Sequence, residues 1–455
     1  MKPPYSAILL ALLCMMMSCN KKAQKEVTLG SLQCDKISYT ERCYAGLEYM
    51  DNIHIPYTGG DGSDTPTGDP VPSQGVTGLV AEVGPYPLLS REGHIVFFVS
   101  GIPSGPGVAR FPVSIGGQQC TFEMNVYEYP VACASLRGAG KVSCLAEHFV
   151  SKLSNTQRDK IISPLNLQNA ERWSTDHCNN GCRNGISLAE LDSLQRDAAI
   201  FLLEDAMGWL ADEGYDEFRG IRRAEEYRKE QTGADVSGLD YWIAMLGTPS
   251  QTGKWMLQVS GHNYAINITY ENNQVISMTP SFQATDPGDF TFRGRQYTQL
   301  YNELYMASEM LALLNSTQLS EAKLSVPVTN LEKSFPQAGT YPAPKGVRLG
   351  SLSPEVQSKY SSLLYWWTNN IGSYSFDPFL NLYNGERADT YISYSGNPDG
   401  KPGNAGSFFN GHLDYFRVDG PSIWIEIIGL NSTVFPGRIM YRTVMRDRNR
   451  DYPGL

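Results

Sequence analysis

The sequence predicts two folded parts: an all-β sandwich, then an α+β domain with helices packed on a mainly antiparallel sheet. Three observations carry that reading. From 27 to 129, short alternating runs are punctuated by Gly and Pro and show no helical period. From about Cys133 onward, helical and strand-like stretches are mixed. At roughly 150 residues per domain, a chain of 455 residues has room for two or three domains. The composition is 41% apolar and 18% charged, which suits globular material and excludes a disordered tail protein, a collagen-like repeat or a polytopic membrane protein. Acids outnumber bases 47 to 37, and a net charge of −10 argues against nucleic acid as a partner.

The N-terminus reads as an address over residues 1–18. Lys2 supplies a positive start, and Ala7-Ile-Leu-Leu-Ala-Leu-Leu13 is an apolar run too short to span a bilayer. A small residue, Ser18, directly precedes Cys19, the pattern a lipoprotein signal peptidase requires; Cys14, behind bulky Leu13, fits poorly. Cys19 is therefore expected to carry lipid and to begin a tether over 19–26. Several acyl chains on one cysteine hold a protein to a membrane durably, each buried methylene adding about 0.8 kcal/mol. The expected partner is a membrane, through that lipid. The expected place is the outer membrane, on its periplasmic or cell-surface face, since Asn20 lacks the acidic character of inner-membrane retention.

The sandwich is expected over 27–130. Its strands are read at Asn52-Ile-His-Ile-Pro-Tyr57, His94-Ile-Val-Phe-Phe-Val99, Ala109-Arg-Phe-Pro-Val-Ser-Ile115 and Cys120-Thr-Phe-Glu-Met-Asn-Val126. Turn clusters such as Gly59-Gly-Asp-Gly62 separate them. His54 and His94 read as strand-face residues. The α+β domain is expected over 133–455. A helix is read at 188–210, with Ser187 and Glu190 as a capping box and Leu191, Leu194, Ala198, Leu202 and Trp209 on one face. Others are read at 297–314 and from Ser353-Pro354. Strands are read at 254–270, 274–278, 422–428 and 438–445. The phrase Leu-x-x-x-Gln recurs at Leu153/Gln157, Leu191/Gln195 and Leu314/Gln318, too weakly for a repeat architecture.

Beyond Cys14 and Cys19, seven cysteines remain: Cys34, Cys43, Cys120, Cys133, Cys144, Cys178 and Cys182. An exported chain meets an oxidising compartment, so disulfides are allowed, and an odd count leaves a thiol over. His177-Cys178-Asn-Asn-Gly-Cys182 reads as a local Cys178–Cys182 disulfide loop or as half a zinc site, and no second Cys/His pair of similar spacing follows it.

Two resemblances add to this. Gly30-Ser-Leu-Gln-Cys34, Ile55-Pro-Tyr-Thr-Gly-Gly-Asp-Gly62, Gly75-Val-Thr-Gly-Leu79, Val99-Ser-Gly-Ile-Pro-Ser104 and Ile115-Gly-Gly-Gln-Gln-Cys120 resemble an extracellular, immunoglobulin-like repeat module of Bacteroidetes-type surface proteins. That resemblance implies a spacer or adhesive unit and a Cys34–Cys120 pair. From about 140 to 455, eight ordered motifs resemble domain-of-unknown-function family 3500 of exported bacterial and fungal proteins. They include Arg183-Asn-Gly-Ile186, Gly253-Lys-Trp-Met-Leu-Gln258, Gly261-His262-Asn263, Gly420-Pro-Ser-Ile-Trp-Ile-Glu426 and Arg446-Asp447 with Asp451. The resemblance implies no activity. It does imply two adjacent histidines after Gly261 and a His-x-His before the Arg-Asp pair, four imidazoles suited to a transition metal. Here those positions hold His262, Asn263, Met440 and Arg442, and Met445 replaces a Trp. The substitutions disfavour a metal cofactor, although His262 with Met440 would weakly suit copper.

Remaining candidates are Glu426, as an acid or base in an apolar strand, and Arg446 with Asp447, as a catalytic cluster or an ion-pair network. Trp255, His262, Asn263, Tyr394 and Trp424, with Tyr264, Tyr391 and Tyr415, would line a ligand cleft or simply be core. No nucleophile elbow, P-loop, dinucleotide fingerprint or HExxH occurs. His148, His177 and His412 have no matching partners in sequence. Two readings of function follow. The first is a surface or periplasmic lipoprotein that binds an extracellular ligand or protein, its metal site largely lost. The second is a secreted, metal-dependent enzyme acting on an extracellular polymer or peptide.

Overall fold

The computed structural model describes residues 28–39, 42–63, 68–84, 92–178, 181–208, 210–372 and 375–455. The expected signal at 1–18, the lipidated Cys19 with its tether and Trp209 lie outside the described residues. The chain divides after Tyr129 into two compact units.

The first unit is all-β. One sheet orders Ser31–Leu32, Tyr49–Thr58, Glu92–Gly101, Leu79–Val83 and Val71–Pro72; the other orders Cys43–Tyr44, Gln118–Tyr127, Gly107–Ile115 and Gln74–Gly75. Side chains alternate because successive Cβ atoms point to opposite faces of a strand. Ala109, Phe111, Val113 and Ile115 are buried while the residues between them are exposed. Phe97 of one sheet meets Phe122 of the other with ring centroids 5.5 Å apart, and Phe122 stacks on Phe111 at 4.7 Å. Gly116 and Gly117, both at positive φ, form the two-residue turn between paired Ile115 and Gln118, a conformation that suits glycine. A disulfide joins Cys34 to Cys120. His54 and His94 lie on the exposed face, rings 6.1 Å apart.

The second unit has helices and one large mixed sheet. Its main path runs Ile162–Ser163, Tyr241–Leu246, Lys254–Gly261, Tyr264–Glu271, Ser281–Thr285, Ile439–Asp447, Ile423–Asn431, Tyr415–Asp419, Tyr391–Ser395 and Val347–Arg348. The pairs along it are antiparallel except the first, which is parallel. The central strands are buried on both faces, so they read as continuous apolar runs. On one face Ile243, Trp255, Val259, Ile266, Ile425 and Met445 share a core with the helices Gly138–Lys152, Ser193–Met207, Gly214–Thr232, Tyr301–Ala312 and Pro354–Thr368. On the other face Ala265, Phe282, Tyr415, Ile428 and Val444 pack against Trp173 and Leu331, which belong to long connecting segments.

Local chemistry explains where the predicted elements shift. The run 254–270 is two strands, because His262 and Asn263 make a two-residue turn between paired Gly261 and Tyr264. The expected helix at 188–210 splits. Ser187 and Glu190 cap only the short turn Leu188–Glu190, and Asp192 with Gln195 caps the helix Ser193–Met207. Tyr297 belongs to a small hairpin, and the helix starts at Tyr301 after Leu300 in a left-handed conformation. The recurring Leu-x-x-x-Gln phrase is a capping box each time. The residue after Leu caps the helix and Gln reaches back, in Ser154/Gln157, Asp192/Gln195 and Asn315/Gln318. Two further disulfides join Cys133 to Cys144 and Cys178 to Cys182, and Cys43 is a buried free thiol. No helix among the described residues is long and apolar enough to cross a membrane.

Candidate functional site

The candidates nearest the C-terminus are brought together, but as anchors. Glu426 is fully buried and both its oxygens are satisfied. Oε1 accepts from Glu332 N (2.8 Å) and Tyr415 OH (2.9 Å); Oε2 accepts from Lys333 N (2.9 Å) and Trp424 Nε1 (2.8 Å). Burial raises its carboxyl above the ordinary range, and the four donors oppose that by favouring the ionised form. Arg446 is also fully buried. Its guanidinium donates to Asp451 (2.6 Å) and to the carbonyls of Lys333 (3.1 Å), Phe335 (2.5 Å) and Pro336 (2.8 Å). Asp447 accepts from Tyr383 OH at 2.9 Å and pairs with Arg450. These side chains pin the segment after Leu331 onto the sheet and leave no donor or acceptor directed at a substrate.

The aromatic candidates are core, apart from Tyr391, which is half-buried. Trp255 is fully buried and stacks on Tyr270 at 4.6 Å. Trp424 is fully buried beneath the Arg417 guanidinium, 4.8 Å from its ring. Tyr394 is 6% exposed, edge-on to Phe408. Tyr264 and Tyr415 are fully buried as well.

Around His262 the chemistry differs. Its ring stacks on that of His177, centroids 3.5 Å apart. His262 Nδ1 lies 2.5 Å from Glu225 Oε1, and His177 Nε2 lies 3.9 Å from Glu225 Oε2. One ligand atom from each of the three residues falls within 4.8 Å of the others. Glu225 is 4% exposed, yet its Oε2 has no hydrogen-bond donor. The cluster opens into a cavity of about 500 Å³ lined also by Asp176, Arg183, Glu190, Asp235, Asp240 and Trp242. Burial, and then the His262 ring beside it, push the His177 imidazole down to about 4. It is therefore neutral at ordinary pH, with a lone pair to offer. Arg228 Nη1 donates to His177 Nε2 at 2.6 Å, so a guanidinium touches the same lone pair.

Three different elements bring the cluster together. The turn after Lys254–Gly261 presents His262, and Tyr241 OH donates to its carbonyl at 3.0 Å. The helix Gly214–Thr232 presents Glu225. A loop presents His177, and Arg183 holds that loop by donating to the carbonyls of Ser174 (3.0 Å), Asp176 (2.5 Å) and Cys178 (3.1 Å). The Cys178–Cys182 disulfide closes it. Next in the chain, Asn184 donates to Gln258 Oε1 (2.8 Å) and Gln258 to Asn267 Oδ1 (2.9 Å), which fixes the loop's exit on the sheet. The motif Arg183-Asn-Gly-Ile186 thus positions His177.

The four positions read from the family resemblance converge only in part. His262, Asn263 and Arg442 line a second cavity of about 240 Å³, together with Asp176. Met440 is 2% exposed and lines neither this cavity nor the larger one, so no thioether supports copper. Asn263 has φ 64°, its N donates to Thr175 O (2.9 Å) and its O accepts from Ala284 N (2.8 Å). Asparagine tolerates that left-handed turn better than most side chains. Burial lowers the Arg442 guanidinium below its ordinary value, and its Nε has no acceptor. Of the four family positions only His262 carries an imidazole, and the residues that join it come from elsewhere: His177, read in sequence only as part of a possible half zinc site with cysteines that instead form a disulfide, and Glu225, which is not a sequence candidate. His177 lies 85 residues from His262, by subtraction of their numbers, and no spacing motif links them.

Two imidazoles and one carboxylate with open space beyond them form the donor set of a three-ligand transition-metal site, able to polarise a substrate oxygen or activate water. In comparison with known families, residues 137–454 match the one described as "Protein of unknown function (DUF3500)". No curated protein and no solved structure matches the chain. The match spans most of the chain and nearly all of the second unit, and this protein belongs to the DUF3500 family.

Proposed function

We propose that this protein is an exported, lipid-tethered, metal-dependent enzyme acting on an extracellular polymer or peptide, with His177, Glu225 and His262 as metal ligands. One observation carries the reading: these three side chains meet at the wall of a cavity of about 500 Å³, with a buried carboxylate oxygen that has no donor. A three-ligand site facing open volume is the catalytic arrangement for zinc or iron(II), since structural sites close all their positions. Three disulfides support an oxidising compartment outside the cytoplasm. The Ser18-Cys19 junction supports the lipid tether and, with it, an outer-membrane address. The first unit, with its Cys34–Cys120 bridge, fits an immunoglobulin-like spacer that holds the second unit away from the membrane.

A second reading, a non-catalytic binding lipoprotein, draws on Arg228: its guanidinium on His177 Nε2 is a resident cation that would make a metal unnecessary. Cobalt(II) decides between them. Titrated into untagged, chelator-treated protein, it should give d–d absorption with one equivalent bound, and His262→Ala should abolish the bands. A wild-type protein without such bands would overturn the enzyme reading in favour of the binder.

A further inference from the structure

Elsewhere in the second unit, three glutamates meet where no solvent reaches them. Glu213, Glu217 and Glu303 are each fully buried, and one oxygen from each falls within 4.8 Å of the others. Glu213 and Glu217 stand at the start of the helix Gly214–Thr232, and Glu303 lies in the first turn of Tyr301–Ala312. Two of them have some support: Asn302 Nδ2 donates to Glu213 Oε1 at 3.0 Å, and Gln283 Nε2 to Glu217 Oε2 at 2.5 Å. That support stops short. Glu213 Oε2, Glu217 Oε1 and both oxygens of Glu303 are buried with no hydrogen-bond donor. Glu213 precedes the helix in the capping position, yet its side chain caps none of the free amides.

A further side chain points to a ligand independently. Gln299 is 2% exposed, and its Oε1 also lacks a donor. Its amide lies against the helix where Gly220 has no side chain; a Cβ there would come within 2.0 Å of Gln299 Nε2. Positions 213, 217 and 220 are spaced by four and three, so they share one helix face. Thus the Gln299 amide nitrogen packs against the helix one turn beyond Glu217, and its buried carbonyl oxygen is left without a donor. Gln299 also lines a cavity of about 460 Å³. No lysine or arginine pairs with any of the three carboxylates among the described ion pairs.

Three adjacent buried carboxylates cannot all ionise without a counter-charge; they take up protons or hold a cation. Burial, before anything else, pushes all three carboxyls above their ordinary range, so a bound cation has to displace protons from them. We propose that Glu213, Glu217 and Glu303, with the Gln299 carbonyl oxygen, form a binding site for a hard divalent cation of the calcium class. The donor set is all oxygen, which excludes the preferences of zinc and copper. It is also supplied by protein atoms alone, whereas magnesium retains several waters. The ion would tie the start of the helix that carries Glu225 to the start of Tyr301–Ala312. The site is separate from His177–Glu225–His262 in residues and in ligand type.

Calcium binding to the full chain tests this. Chelator-treated wild-type protein should take up one calcium per chain by calorimetry, with a rise in melting temperature of several degrees. Glu303→Gln should lose at least about tenfold in affinity; His262→Ala should bind calcium as the wild type does. Should Glu303→Gln not fold, calcium uptake by the wild type is read by itself, in two buffers of different ionisation enthalpy, and should release at least one proton. Absence of any binding or melting shift with calcium, magnesium and manganese would overturn the proposal and assign the counter-charge to protons. Unchanged calcium affinity in a folded Glu303→Gln would overturn it too. Cobalt bands lost in His262→Ala report on the other site alone, so each proposal can fail without the other.

Discussion

Every oxygen of Glu426 has two donors, while Glu225 Oε2, at 4% residue exposure, has none. Both carboxylates are buried in the same unit. The difference is what the surrounding chain asks of each. Around Glu426 and Arg446, beside Tyr415, Trp424 and Asp451, five partners are backbone groups of one connecting segment, 332–336, so the charges hold chain to chain. Around Glu225 the partners are two imidazoles and open volume. A fully satisfied network has nothing left with which to bind a further group; an unsatisfied one retains a cost that only a further group removes.

Arg446→Ala breaks the comparison most directly, and its expected effect is the largest. It leaves Asp451 buried without its cation and strips the carbonyls of Lys333 and Phe335 of this donor, while Pro336 O keeps only Tyr452 OH. Loss of one member of a buried pair costs about 3–5 kcal/mol, measurable as a fall in the urea midpoint. Cobalt uptake per folded chain should not change. Glu225→Gln should do the reverse, moving stability by no more than about 1 kcal/mol while abolishing the cobalt bands. If both substitutions instead unfold the protein equally, the distinction between anchor and site fails.

Much of the anchor was legible in sequence and little of the site. Trp424-Ile-Glu426 and Arg446-Asp447 stand in dense motifs within apolar strands, and strands buried on both faces announce themselves by composition. The capping boxes at Ser154, Asp192 and Asn315 were visible as a recurring phrase because capping is local. The helix Gly214–Thr232 leaves little signal in the sequence. It carries charged residues on most positions and apolar contacts mainly at Tyr215, Phe218, Ile221 and Ala224, a narrow stripe. Glu225, Glu213 and Glu217 were hidden with it. His177 sits in a loop whose placement depends on Arg183 and on a disulfide, and tertiary contacts of that kind leave no period to read.

Arg228→Ala sharpens the comparison with a smaller effect. The guanidinium lies 2.6 Å from a proposed ligand atom, and a positive charge there repels a metal cation. Removing it should tighten cobalt binding about tenfold, equivalent to about 1.4 kcal/mol, as read by competition with a chelator of known affinity. An unchanged affinity would mean that Arg228 swings clear without cost, and weaker binding would make it a support of the site rather than a competitor.

The smallest effect belongs to a buried group that is solitary but not costly. Cys43 is fully buried in the first unit and makes no disulfide. Burial pushes its thiol up to about 12, so at pH 8 it is neutral and unreactive. A thiol has little hydrogen-bonding capacity to lose, and it packs as a small apolar group. It therefore separates two meanings of being unpaired. A lone carboxylate oxygen in the interior demands a partner; a lone thiol does not. Iodoacetamide at pH 8 should leave Cys43 unmodified in the folded protein and alkylate it fully once urea passes the midpoint, with Cys43→Ala changing stability by about 1 kcal/mol or less. Rapid labelling of the folded chain would show that the first unit opens around its core. Isolation of an interior group would then no longer distinguish a packing residue from a site.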